Sequence, residues 1–387
     1  MNENENINVI DFGSSKIRFA AFDKNLKEIF SKTQNVFLND NYLKHFEEIN
    51  NIVKNAEKKI SSHIQDIILS LDSKDLFTID LSLRKDLEVK TEIQKAYDNF
   101  VLELNQIIKT NYDSYQILHI IINKCIIDDQ IFNELPKNKI YSKNIKIEFK
   151  VLCFKKFFLN HLVNNFKKNS LNIKTIICTS YIKSLIYINK IDLKKVSFLE
   201  IGWERTTIIV FEQKKLKFIQ SIPIGGQHIT KDISKIFKIS LKDAEKIKKS
   251  FNKTHTEFSY KNVDEIDQIE LREIIDKNIS TNLLKKVILY RVQEIIDLSF
   301  KKLDNFGYKL NFKDSDLFLI GEGSLLFDNN SFYLNDKFNF NSINCFKDKD
   351  DQVCRYGLNY YLNNKVKLRK TIKNQGIFEK FFNLFSR

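Results

Sequence analysis

Glycine and proline are scarce in this chain, nine and two residues out of 387, so each glycine is worth locating. Cysteine is both scarce and odd in number. Cys125, Cys153, Cys178, Cys345 and Cys354 form no C-x-x-C pair and have no histidine nearby at metal-ligand spacing. That pattern speaks against a disulfide framework and a zinc site, and it fits a reducing cytoplasm. The first residues are polar and acidic, and no run of about 18 apolar residues follows, so neither a signal peptide nor a spanning helix is expected. What is present is an ordinary folded composition, 43% hydrophobic and 29% charged. The length suggests roughly two to four lobes. A net charge of +14 raises the question of nucleic acid, because clustered Lys and Arg release phosphate counterions. Here the basic residues are spread over the whole chain and most aromatics are Phe in apolar runs, so no nucleic-acid partner is expected.

Seven glycines, Gly13, Gly202, Gly225, Gly226, Gly321, Gly323 and Gly357, stand at the ends of apolar runs or in the turns after them. The first run, Val9 to Asp23, reads as a strand, a tight turn Gly13-Ser14-Ser15 and a return strand beginning at Lys16. A carboxylate at the strand end, Asp11, followed by small residues whose N–H groups can converge, suits a metal-bound phosphate, with Lys16 adding a point charge. On its own the segment is equally a plain β-hairpin with a Ser-rich turn. Near the middle of the chain Phe198 to Phe211 repeats the design, with Glu200, Gly202, the turn residues Trp203, Glu204 and Arg205, and then Thr206 and Thr207. Two such hairpins suggest a duplicated fold whose halves face each other across a cleft and grip one polyphosphate.

After the second hairpin come Ser221 to Ile233, with the double glycine Gly225-Gly226 and Ile-Thr-x-Asp-Ile, and then Leu241 to Lys248, with Ala-Glu-x-Ile-Lys. These segments resemble the bacterial cell-division actin homologue family, FtsA, within the actin, sugar-kinase and heat-shock-chaperone ATPase superfamily. Val287 to Ile296 is similar to the helix that closes that family's nucleotide lobe. Leu317 to Leu326, with Gly321, Gly323 and Ser324, resembles its adenosine motif, and Tyr356-Gly357-Leu358 resembles a small-residue connection near the end of the fold. The resemblance runs in family order over nearly the whole chain.

It implies an α/β fold of the duplicated actin-like ATPase type, two lobes around a nucleotide cleft, with a small α+β insertion subdomain and a C-terminal amphipathic helix. The expected divisions are 7–78 and 156–194 with 356–370 for subdomain IA, 79–155 for the inserted subdomain IC, 195–230 and 309–355 for IIA, 231–308 for IIB, and 371–387 for a linker and membrane-targeting helix. It also implies ATP with Mg²⁺. Asp11, acting through a metal-bound water, Gly13, Ser14, Ser15, Lys16, Glu200, Gly202, Thr206 and Thr207 are expected around the phosphates, and Gly225 and Gly226 among the nucleotide-binding residues. Glu245 and Lys248, at i, i+3 on one helix face, with Gly321, Gly323 and Ser324, are expected at the nucleoside; as an isolated pair Glu245 and Lys248 also read as solvated surface charges. Trp203, Glu204 and Arg205 stand where the family carries Gly and Thr, Glu200 where it carries Asp, and Ile320 and Glu322 where it favours Thr and Gly. Added bulk and negative charge beside phosphate predict weak or absent turnover.

The tail carries a signal of its own. Ile377, Phe378, Phe381, Phe382, Leu384 and Phe385 share about half of a helical wheel at ~100° per residue, behind the basic residues Lys365, Lys367, Arg369, Lys370 and Lys373 and a polar stretch ending in Gly376. Such a segment suits an in-plane anchor on anionic lipid, or else a terminal helix folded back on the body. The resemblance implies a polymer at the cytoplasmic face of the inner membrane, at the division site, that holds the tubulin-like division protein FtsZ through its C-terminal tail and meets other division proteins. A small-molecule kinase of the same superfamily is the alternative, and would need a catalytic carboxylate and a sugar site for which the sequence offers no strong candidate.

Overall fold

The two glycine-marked hairpins seed two sheets of one topology. The computed structural model describes residues 6–36, 42–136, 138–250, 279–305, 312–327, 338–346 and 350–373. In the first sheet β1 (Ile7–Phe12) pairs antiparallel with β2 (Lys16–Phe22), and β2 with β3 (Glu28–Asn35). On the other side of β1 lie the parallel strands β4 (Asp66–Leu71) and β9 (Asn172–Cys178), which gives the order β3-β2-β1-β4-β9. The second sheet repeats this with β10 (Lys195–Ile201), β11 (Thr206–Glu212), β12 (Lys215–Ile222), β13 (Asp316–Ile320) and β14 (Ser342–Cys345), in the order β12-β11-β10-β13-β14. In each sheet the central strand is antiparallel to the strand that follows it in the chain and parallel to its other neighbour.

Strand alternation decides where the cores sit. In β10, Val196 and Phe198 face the core shared with the first sheet, while Leu199 and Ile201 face a second core, as the two-residue period of a strand requires. The second core is closed by α5 (Gly226–Phe237), α6 (Leu241–Ser250) and α7 (Thr281–Asn305), which supply Ile229, Ile233, Ala244, Ile247, Leu284 and Ile288. Around the first sheet pack α1 (Tyr42–Ile60), α3 (Lys156–Lys168), α4 (Thr179–Lys190) and α8 (Asp350–Lys373). The sheets are joined by an aromatic stack, with the Phe346 ring 4.5 Å from Tyr187 of α4 and 5.0 Å from Phe318 of β13.

Between Phe77 and Lys155 a third sheet forms, of β5 (Phe77–Glu92), β6 (Tyr115–Ile127), β7 (Gln130–Phe132) and β8 (Tyr141–Lys155), ordered β5-β8-β6-β7 and antiparallel throughout. Its helix α2 (Ile93–Asn111) buries Ile93, Ala96, Phe100, Leu104 and Ile108 against the sheet, a three-and-four spacing that keeps one face inward. This unit is tied to the body at His119 of β6. The Cys178 N–H donates to His119 Nε2 at 3.0 Å, so Nδ1 carries the proton and donates to the Tyr360 hydroxyl of α8 at 2.8 Å. Burial lowers the His119 pKa to about 3, so the ring is neutral.

No helix among the described residues is long and apolar enough to cross a membrane. The amphipathic tail from Ile377 to Phe385, and part of the segment expected as IIB, 251–278, lie outside the described residues.

Candidate functional site

The β1–β2 and β10–β11 turns face one cavity of about 830 Å³. They are built alike. The Gly13 N–H donates to Lys16 O at 3.0 Å, and the Gly202 N–H donates to Arg205 O at 2.9 Å. A side chain on Gly13 would put Cβ 2.7 Å from Lys16 O, so the tight turn requires glycine there. Of the residues expected at a nucleotide, Asp11, Gly13, Ser14, Ser15, Glu200, Gly202 and Gly321 line the cavity; Trp203, Glu204 and Glu322 line it too.

The double glycine has a packing role. The N–H groups of Gly226 and Gln227, at the start of α5, donate to the carbonyls of Gly202 and Trp203 at 2.9 and 2.8 Å. A Cβ on Gly225 would lie 2.6 to 2.7 Å from three backbone atoms of the second hairpin. Gly225 and Gly226 therefore clamp α5 to the hairpin and lie behind the cavity wall. Thr206 and Thr207 are spent in the same way: the Thr206 hydroxyl donates to Ile224 O at 2.8 Å, and Thr207 Oγ1 lies 2.8 Å from Ser221 Oγ. Gly321, at φ +85°, and Gly323 press against Ile201 at the end of β10, and the Ser324 hydroxyl donates to Gly321 O at 2.6 Å.

The expected nucleoside pair differs from both sequence readings. Glu245 and Lys248 are buried, neither solvated nor lining the cavity. Lys248 Nζ lies 2.6 Å from Glu245 Oε2, donates to Thr230 Oγ1 at 2.9 Å and to Gly226 O at 3.0 Å, and sits 4.7 Å from the Trp203 ring centroid. Trp203 thus stacks on a cation whose donors are occupied.

The carboxylates expected around phosphate and metal are held by cations of the protein itself. Asp11 Oδ2 accepts from Arg18 Nη1 at 2.9 Å, and Oδ1 accepts from the Thr179 hydroxyl at 3.1 Å. Glu200 accepts from Arg205 Nη1 at 2.8 Å and has Lys183 Nζ at 3.5 Å. Arg205 also donates to Thr207 Oγ1 at 2.6 Å and pairs with Asp72, whose carboxylate accepts from the Ser180 hydroxyl at 2.8 Å. Burial pushes the Glu200 carboxyl up, but Arg205 and Lys183 outweigh it and hold it below the usual carboxylate range. Burial raises Asp72, with Arg205 pulling the other way. Lys16 pairs with Glu322, so its charge too is matched.

This donor set does not fit the expected metal at Asp11. A divalent cation needs free oxygen ligands or a carboxylate to order its waters, and Asp11, Asp72 and Glu200 each already face a guanidinium. No cluster of three His, Cys, Asp or Glu side chains with metal-site geometry occurs among the described residues. The phosphate end of a nucleotide fits better, since the cavity volume is within the range of small-molecule sites and the Gly13–Ser15 turn lines it.

Arg18, Asp72, Thr179 and Lys183 are the residues that sequence reasoning missed. Two had a signal. Arg18 follows Lys16 by two residues, hence on the same strand face, and Asp72 ends an apolar run as Asp11 does. Lys183 and Thr179 lie in α4 with no local mark.

Comparison with known proteins follows the same lines. The family model of the cell division protein FtsA matches residues 198–360, and that of the type IV pilus assembly protein PilM matches residues 7–259. FtsA of Bacillus subtilis is 27% identical over 219 residues, 56% of this chain and 49% of the relative, so the match spans about half of that protein's length. FtsA of Staphylococcus epidermidis is 21% identical over 307 residues, 77% of this chain and 66% of the relative. Among solved structures, the PilM–PilN type IV pilus biogenesis complex aligns at a TM-score of 0.58 and 11% identity, covering 94% of this chain and 98% of that one. MreB5 of Spiroplasma citri bound to ADP aligns at 0.53 and 12%, covering 96% and 100%. At such identities the structures establish the actin-like ATPase fold alone.

Proposed function

The chain belongs to the family of the type IV pilus assembly protein PilM, whose model spans residues 7–259, and residues 198–360 also match the FtsA model; from that premise we propose that it is an FtsA-type division protein whose working parts are binding surfaces. In this reading a nucleotide lies between the lobes, with its phosphates toward Gly13, Ser14, Ser15 and Lys16, and is turned over slowly or not at all. The observation that carries it is the pair of matched turns facing one cavity, in a chain whose curated relatives are cell division proteins. Bound nucleotide would supply a charged ligand touching both lobes; the chain's part is to bind and orient it. Trp203 and Glu204 line the cavity wall and put bulk and negative charge near the phosphates, which works against tight binding and against efficient hydrolysis.

The reading extends to membrane and partner. The 371–387 segment is the tether, lying on anionic lipid at the cytoplasmic face of the inner membrane through its Phe stripe and upstream basic residues. Protomers linked in a polymer make each later lipid contact intramolecular and multiply the effective affinity. The 231–308 lobe takes the C-terminal tail of FtsZ, a role that rests on the family alone, and the 79–155 unit serves polymer contacts. A co-sedimentation assay tests this: the protein should carry an FtsZ tail peptide onto anionic liposomes, and Phe381→Glu with Phe385→Glu should abolish liposome binding with the fold intact. Retained liposome binding in the double variant sinks the tether, and no capture of the peptide sinks the partner.

A second reading, a platform of the PilM kind in a pilus-type assembly, has one observation in its favour: the PilM model spans more of the chain, including the whole Phe77–Lys155 unit. Loss of tail-peptide capture together with retained membrane binding would favour it.

A further inference from the structure

The first hairpin carries two cations that converge on one oxygen. Lys16 Nζ and Arg18 Nη2 both reach Glu322 Oε1, the latter at 3.2 Å, while Arg18 Nη1 is held at 2.9 Å by Asp11. Lys16 and Arg18 belong to β2 of the first lobe, whereas Glu322 opens the 3-10 turn Glu322–Phe327 of the second. A lysine and a guanidinium focused on one anionic oxygen form the donor set that a phosphate oxygen requires. The corner also opens on the cavity lined by Gly13, Ser14 and Ser15. Its occupant is loosely held: the Glu322 side chain is 45% exposed, against 20% for Lys16 and 12% for Arg18. The carboxylate can swing into solvent while the cations stay.

We propose that Glu322 is a built-in counter-anion that fills the phosphate corner, and that a polyphosphate binds by displacing it from Lys16 and Arg18. For the ligand class this rests on the nucleotide reading above. Because the displaced carboxylate belongs to the opposite lobe, ligand entry also exchanges a lobe-to-lobe contact for a ligand contact. The corner is self-neutralised at rest, so the competition needs no divalent cation.

Calorimetric titration of the full chain with inorganic tripolyphosphate and with ATP, both in EDTA, tests it on wild type, Glu322→Gln and Glu322→Ala. Both variants should bind tripolyphosphate at least tenfold tighter than wild type, and adding Lys16→Gln to Glu322→Gln should remove the gain. Thermal melts report whether each variant is folded; the exposed position of Glu322 makes retention of the fold the expected result. Equal or weaker binding in both folded variants overturns the proposal. ATP arms separate it from the nucleotide reading: ATP no tighter than tripolyphosphate refutes a nucleoside site and leaves the corner standing. Absence of binding by either probe to any variant overturns both.

Discussion

The two matched turns of the cleft differ in how their charges are housed. Around the second turn, Arg205 is enclosed with Asp72, Glu200 and Lys183, and all four side chains are nearly out of solvent. Around the first, Lys16, Arg18 and Glu322 meet at a half-open edge. A buried ion cluster is rigid because any lost partner strands a charge in low dielectric, whereas an exposed one is weak and exchangeable because water replaces whatever leaves. The second turn is thus a fixed joint between the lobes, and the first is the side at which the proposed ligand would enter.

Removing the central cation of the enclosed side should have the largest effect. Arg205→Ala should destabilise the protein by about 3 to 5 kcal/mol, since Asp72 loses its cation in a nearly solvent-free position and Glu200 keeps only Lys183, measured as the shift in urea midpoint at pH 7. A loss below about 1 kcal/mol would mean the joint is far wetter than the structure has it.

Backbone packing around the second turn is the next test. Gly225→Ala should cost roughly 1 to 3 kcal/mol as an overpacked site, because its Cβ would overlap the carbonyls of Gly202 and Trp203 and the N–H of Arg205. The neighbouring Gly226→Ala meets nothing nearer than Lys248 Nζ at 3.5 Å and should be close to neutral. Equal effects at the two positions would remove the clamp from the argument.

Burial should also make a junction sensitive to acid, and His119 provides that arm. Its pKa is lowered in the folded protein to about 3, so the unfolded chain binds more protons between the two pKa values. The stability it contributes is complete above about 6.5, the unfolded value, and falls by up to about 1.4 kcal/mol for each pH unit below it. His119→Gln should flatten this slope in melts taken from pH 7 to pH 5; an unchanged slope would assign the acid sensitivity elsewhere. The smallest effect belongs to the open edge, where Glu322→Gln should change stability by less than about 1 kcal/mol, with any difference fading in 0.5 M salt, where the Debye length is short, on the order of 4 Å.

Much of the frame was legible before any coordinates. Val9 to Asp23 and Phe198 to Phe211 announce strand, turn and strand because alternation and glycine turns are local properties. The site was legible only in outline. Asp11 and Glu200 were found as carboxylates at strand ends, yet their roles as partners of Arg18 and Arg205 were not. Glu245 and Lys248 were correctly seen as a pair on one helix face, but the burial that turns them away from the cavity comes from Trp203 and Thr230, which no helical wheel contains.

Sequence by itself determined the two hairpins, the inserted α+β unit and the chemical types available to the cleft, because each depends on neighbours within a few positions along the chain. Only the tertiary structure decided which charges cancel. Asp72 lies 133 residues from Arg205, and Glu322 lies 304 residues from Arg18. An ion pair is chosen by distance through space and by the dielectric around it, and neither quantity exists until the two lobes have closed on each other.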